Sequence, residues 1–230
     1  MNSTLLRIGQ AREDISEYLY HFTSKRNALD TLIKIIDDNA LKDINSKGVI
    51  CFTEAPLTLL VRMFDIFASY TDPMYAPYGI AIKKNLIFNM GGRPVIYGTV
   101  SEKTLLNQSI QWRFEEYHPT TRDFSWLREW RVKTDKIELN KDDCFIITKN
   151  KDELALEFDP DDIGEIEFDG CVADGKFDGY AYTKVPRRFK GVSLEEIKEY
   201  NSLSKDQIEK ILSAKNFTDT TDVYLGGISG

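Results

Sequence analysis

Tyr18-Leu19-Tyr20-His21-Phe22-Thr23 sets four aromatic or leucine residues around one histidine and ends on a threonine. So short and apolar a run predicts a buried strand over 18–22. Beyond it, Leu29, Leu32, Ile33 and Ile36 recur at i, i+3, i+4 and i+7, the spacing that gathers side chains on one helical face. Thr23 or Ser24 is the expected cap and Asn39 the expected stop. The chain thus runs from a strand through a tight junction into a helix.

Outward from this unit the pattern stays mixed. Gly48 to Phe52 predicts a second strand, and after Pro56 the apolar stretch Leu57 to Tyr70 predicts a helix. Two prolines between Asp72 and Pro77 break regular structure. Gly79 to Ile82 and Pro94 to Val100 have strand character around a Gly91-Gly92 turn, as do Glu129 to Lys133 and Cys144 to Thr148. Between them, Ser101 to Trp126 is expected to form a helix and then a long loop. Asp169-Gly170, Asp174-Gly175 and Asp178-Gly179 favour hairpin turns and lie too far apart for a calcium loop. Ser193 with Glu196 and Ser204 with Gln207 form capping-box patterns, so one or two helices are expected in the tail. The second of these has Ile208, Ile211 and Leu212 on a face, and Thr218 to Gly230 is expected to be loose.

A chain of 230 residues with 42% apolar content can bury a core of its own. Its net charge of −7 argues against a surface built throughout for nucleic acid. A local basic cleft remains compatible, because Arg113, Arg122, Arg128, Arg131 and Lys133 cluster in sequence while acidic residues gather between Asp152 and Asp178. Cys51, Cys144 and Cys171 are far apart and odd in number, which suits buried free thiols. His21 and His118 supply no zinc spacing, so no metal is expected. Nowhere do about 18 apolar residues follow one another, and the expectation is a cytoplasmic protein with no membrane segment.

Three motifs point further. His21-Phe22-Thr23 closes the first strand, Gly48-Val49-Ile50-Cys51-Phe52 enters the second helix, and Glu129-Trp130-Arg131-Val132 begins a late strand. In order and context they resemble the ADP-ribosyltransferase superfamily in its His-Tyr-Glu class, which includes poly(ADP-ribose) polymerases and, more distantly, DarT-type toxins. Cys51-Phe52-Thr53-Glu54-Ala55-Pro56, Tyr78-Gly79-Ile80 and Arg93-Pro94-Val95-Ile96-Tyr97 are similar to AbiGi-type abortive-infection proteins of phage defence. The resemblance spans about Tyr18 to Lys133. Phe22 stands where the class has glycine, and Cys51 where it has tyrosine.

The resemblance implies an α+β fold, an ADP-ribosyltransferase-like split β-sandwich with flanking helices and a C-terminal helical tail. Residues 1–190 would be the catalytic domain, 191–217 the helical extension and 218–230 a flexible tail. It also implies that NAD is the substrate. His21 would hold a ribose hydroxyl, the Phe22 backbone the carboxamide, Thr23 would support His21, and Glu129 would act at the nicotinamide ribose. Phe52 and Tyr78 are the expected stacking rings. In the loop before the late strand, Arg122, Trp126 and Arg128 would grip an acceptor, with nucleic acid favoured. Separately, the charge of the acidic region from Asp152 to Asp178 suits mimicry of nucleic acid or the anchoring of an antitoxin as a further partner. Two other readings stand beside this one: an NAD glycohydrolase, and a catalytically silent interaction module. A Cys51–His118 nucleophile pair is disfavoured, since a thiolate in an apolar strand is costly.

Overall fold

The computed structural model describes residues 14–44, 46–157, 164–186, 188–200 and 220–229. Its first half runs β1 (Tyr18–Phe22), α1 (Ala28–Asp37), β2 (Ala40–Lys42), β3 (Ile50–Thr53), α2 (Leu57–Phe67), β4 (Gly79–Lys83) and α3 (Lys84–Asn89). Next come β5 (Arg93–Pro94), β6 (Ile96–Gly98), α4 (Val100–Lys103), β7 (Phe114–Glu116), β8 (Glu129–Val132) and β9 (Lys136–Glu138). The last elements are β10 (Cys144–Thr148), β11 (Ile166–Ala173), β12 (Lys176–Pro186), β13 (Lys190–Ser193), α5 (Leu194–Tyr200) and β14 (Thr220–Ser229). The protein is mixed α+β, mostly sheet with a few helices.

One seven-stranded sheet in the order β13-β10-β4-β1-β3-β8-β5 organises the molecule. Its neighbours pair antiparallel except β10 with β13. A three-stranded sheet β11-β12-β14 and the two-stranded ladders β2-β9 and β6-β7 complete the fold. Alternation along the strands gives the large sheet two apolar faces. Leu19, Phe52, Ile80, Ile82, Trp130 and Val132 meet Leu32 and Ile36 of α1 on one. Tyr20, Phe22, Ala81 and Ile147 meet Leu60, Val61 and Phe64 of α2 and Leu194 and Ile197 of α5 on the other. Each fully buried Leu or Ile contributes roughly 1.5–3 kcal/mol, so these faces dominate stability.

Several local expectations are corrected. Helix α1 starts at Ala28 with Asn27 at its N-cap, because Thr23 is drawn into further pairing. Its N–H reaches the Tyr78 carbonyl, and its own carbonyl accepts from Ala76. Asn39 does end the helix, in left-handed backbone at φ 48°. A short helix, α3, separates β4 from the Gly91-Gly92 turn. The long loop after Ser101 contains a 3-10 turn and β7.

Of the three Asp-Gly pairs only Asp174-Gly175 turns, with both residues at positive φ. Gly170 and Gly179 instead face each other across β11 and β12. Thr220 to Ser229, expected to be loose, forms β14 on the edge of β12. The box at Ser204 and the second tail helix lie outside the described residues. No helix among the described residues is long and apolar enough to cross a membrane.

Candidate active site

The three motif strands β1, β3 and β8 are neighbours in the sheet. Register puts Tyr20, Thr53 and Glu129 in one row, Tyr20 opposite Thr53 and Thr53 opposite Glu129. Alternation therefore sends the Glu129 side chain to the face of Tyr20 and Thr53. The His21 side chain goes to the face of Leu19 and Ile80. The two expected catalytic residues leave the sheet on opposite sides, and Cys51 lies between them.

On one side, pairing of β1 with β3 stops at Tyr20 and Thr53. His21 reaches across the strands beyond that point, its Nδ1–H donating to the Cys51 carbonyl at 2.8 Å. This bond selects the tautomer in which neutral Nε2 accepts. The ring meets Phe52 edge to face at 5.8 Å. Burial lowers the imidazole pKa from its ordinary 6.5, and the Cys51 bond works against that shift. Gly79 opposes Phe22 on the far side of β1, where a Cβ would fall 2.4 Å from the His21 carbonyl oxygen. Only glycine lets β4 approach so closely.

On the other side, Glu129 follows Arg128, whose backbone is left-handed at φ 49°. The bend is held from β3: the Thr53 hydroxyl donates to the Leu127 carbonyl, and Glu54 N–H to that of Arg128. Arg131 Nε donates to Glu129 Oε1 at 2.8 Å, while Arg131 Nη2 meets Glu115 Oε2 at 2.6 Å. The Tyr97 hydroxyl accepts weakly from Glu129 N–H at 3.4 Å and donates to the Phe124 carbonyl at 3.1 Å. The β6-β7 ladder sets Tyr97 opposite Glu115.

Cys51 faces Arg131 in register, and its thiol interacts with both Glu129 and Arg131. Cys51 and Cys171 are exposed and only Cys144 is buried, which corrects the expectation of buried thiols. Even so, desolvation by the surrounding side chains first, and the Glu129 charge second, push the Cys51 thiol up to about 12, so it is no ready nucleophile. Tyr75 closes the group; burial, then Glu129 and Cys51, push its phenol up to about 12. For Glu115, burial favours the neutral acid, but the bonds from Arg131 and Arg122 prevail and hold the carboxyl below the usual range.

Other expected site residues have different partners. Phe52 is 3% exposed and is enclosed in the core, which removes it as a stacking ring. Thr23 spends its hydroxyl on the Tyr78 carbonyl at 2.9 Å rather than on His21. Phe22 packs edge to face on Phe64. The Tyr78 hydroxyl donates to Glu153 at 2.9 Å. Arg122 pairs with Glu115 and Glu116, and Arg128 with Asp14 and Glu54, so these arginines lie in ion pairs instead of forming a bare basic cleft. Trp126 is 42% exposed. Trp130 is core, its indole N–H on Glu54 at 2.8 Å.

The sequence reading missed Tyr75, Tyr97 and Glu115. Only Tyr97 had a signal, through its place in Arg93-Pro94-Val95-Ile96-Tyr97. Among the described residues there is no group of three or more His, Cys, Asp or Glu able to hold a metal ion. Compared with known proteins, the chain matches no family model, no curated protein and no solved structure.

Proposed function

We propose that the protein is an ADP-ribosyltransferase with an ADP-ribosyltransferase-like split β-sandwich, moving ADP-ribose from NAD to a nucleic-acid acceptor as a cytoplasmic toxin or anti-phage effector. The observation that carries this reading is the adjacency of β1, β3 and β8, with His21 and Glu129 both touching Cys51. In the reaction the bond between the nicotinamide nitrogen and the ribose C1′ breaks, and nicotinamide leaves with the electron pair. The cationic sugar is stabilised by Glu129, and an acceptor oxygen or nitrogen forms the new bond to C1′. Its proton passes to Glu129 or to water. With water as the acceptor the same steps give NAD hydrolysis. The exposed ring of Trp126 suits stacking on an acceptor base.

A second reading, the silent interaction module, is favoured by the opposite faces of His21 and Glu129 and by the closure of Glu129 on Arg131. Incubation with labelled NAD and separate RNA, DNA and protein fractions decides between them. Transfer requires label in one fraction, reduced roughly 10²–10³-fold by Glu129→Gln. A protein that consumes no NAD with any fraction is the silent module, and unchanged transfer by Glu129→Gln removes Glu129 from its role.

A further inference from the structure

We infer that Arg131, anchored by Glu115, is a positioning residue that aims the Glu129 carboxylate, a role that rests on the transferase reading. Every nitrogen of the Arg131 guanidinium has a partner. Nε donates to Glu129 Oε1 at 2.8 Å, Nη2 to Glu115 Oε2 at 2.6 Å, and Nη1 to the Phe114 and Trp112 carbonyls at 2.8 and 3.3 Å. The side chains of Arg131, Glu115 and Glu129 are 15%, 19% and 13% exposed, so the array is largely withdrawn from solvent. A planar guanidinium fixed at both Nη nitrogens aims its Nε–H, and so limits how the carboxylate bonded there can rotate.

The arrangement comes from strand geometry. Arg131 and Glu129 are two residues apart on β8 and therefore share a face. Glu115 arrives from β7 opposite Tyr97, whose hydroxyl contacts the Glu129 N–H. Arg131 holds the carboxylate through Oε1. A lysine cannot reproduce the clamp, because its single ammonium cannot meet Glu129, Glu115 and two carbonyls in one plane.

The test is steady-state NAD turnover with the full chain and the acceptor fraction identified by labelling. A misplacement of about 1 Å costs on the order of 10²-fold, so Arg131→Lys should lower kcat by about that factor with the KM for NAD held within about threefold. Glu115→Gln, which keeps the shape of its site, should lower kcat less. The double variant should be no slower than Arg131→Lys alone, because Glu115 reaches Glu129 through Arg131 while its other bond, to Arg122, leads away from that carboxylate. Arg131→Lys with wild-type kcat, additive losses in the double variant, or a loss confined to KM each overturn the positioning role while leaving the transferase reading intact. A wild-type protein that consumes no NAD with any acceptor overturns both.

Discussion

Burial lowers the pKa of His21 against the opposing pull of its bond to Cys51, and this sets a pH dependence for the fold. The unfolded chain takes up a proton near the ordinary 6.5, while the folded chain resists doing so until a lower pH. In that window the unfolded state binds more protons, so stability is full above 6.5 and falls as pH drops towards the folded value. We expect denaturant midpoints to decline on acidification through this window, and His21→Gln to flatten that part of the decline. With only two histidines in the chain, NMR titration can assign the lowered midpoint to His21 directly. At this scale the candidate site was only half legible. His21 and Glu129 stood out by residue type and order, whereas Cys51 became central through contacts with residues distant in sequence.

Elements whose information is local formed as the sequence predicts. Helix α1 follows its apolar period, and α5 begins at its capping box, Ser193 Oγ accepting from Glu196 N–H at 3.1 Å and the Glu196 carboxylate returning to Ser193 N–H at 3.2 Å. Ser193→Ala should cost about 1 kcal/mol, read as a lower urea midpoint at unchanged slope. Elements decided by partners were illegible. Asp169-Gly170 and Asp178-Gly179 carry the same turn chemistry as Asp174-Gly175, yet β-pairing leaves only the last at a bend. Strand β14 has no strong apolar pattern of its own and exists because β12 offers an edge.

For the whole molecule, β14 belongs with β11 and β12 in a sheet separate from the seven-stranded one. Truncation after residue 219 should therefore turn β12 into an edge strand, with faster hydrogen exchange over 176–186 and retained protection in β1, β4 and β10. Loss of protection in both sheets would show that they open as one unit. The sequence by itself determined the α+β character, the strand-to-helix unit at its start and the three motifs, since periodicity and turn chemistry act over a few residues. Only the tertiary structure decided that β1, β3 and β8 lie side by side, that His21 and Glu129 leave the sheet on opposite faces, and that Arg131, itself held by Glu115, closes on the Glu129 carboxylate. Pairing between distant strands and the face each side chain takes are settled by register, and register is a property of two strands together.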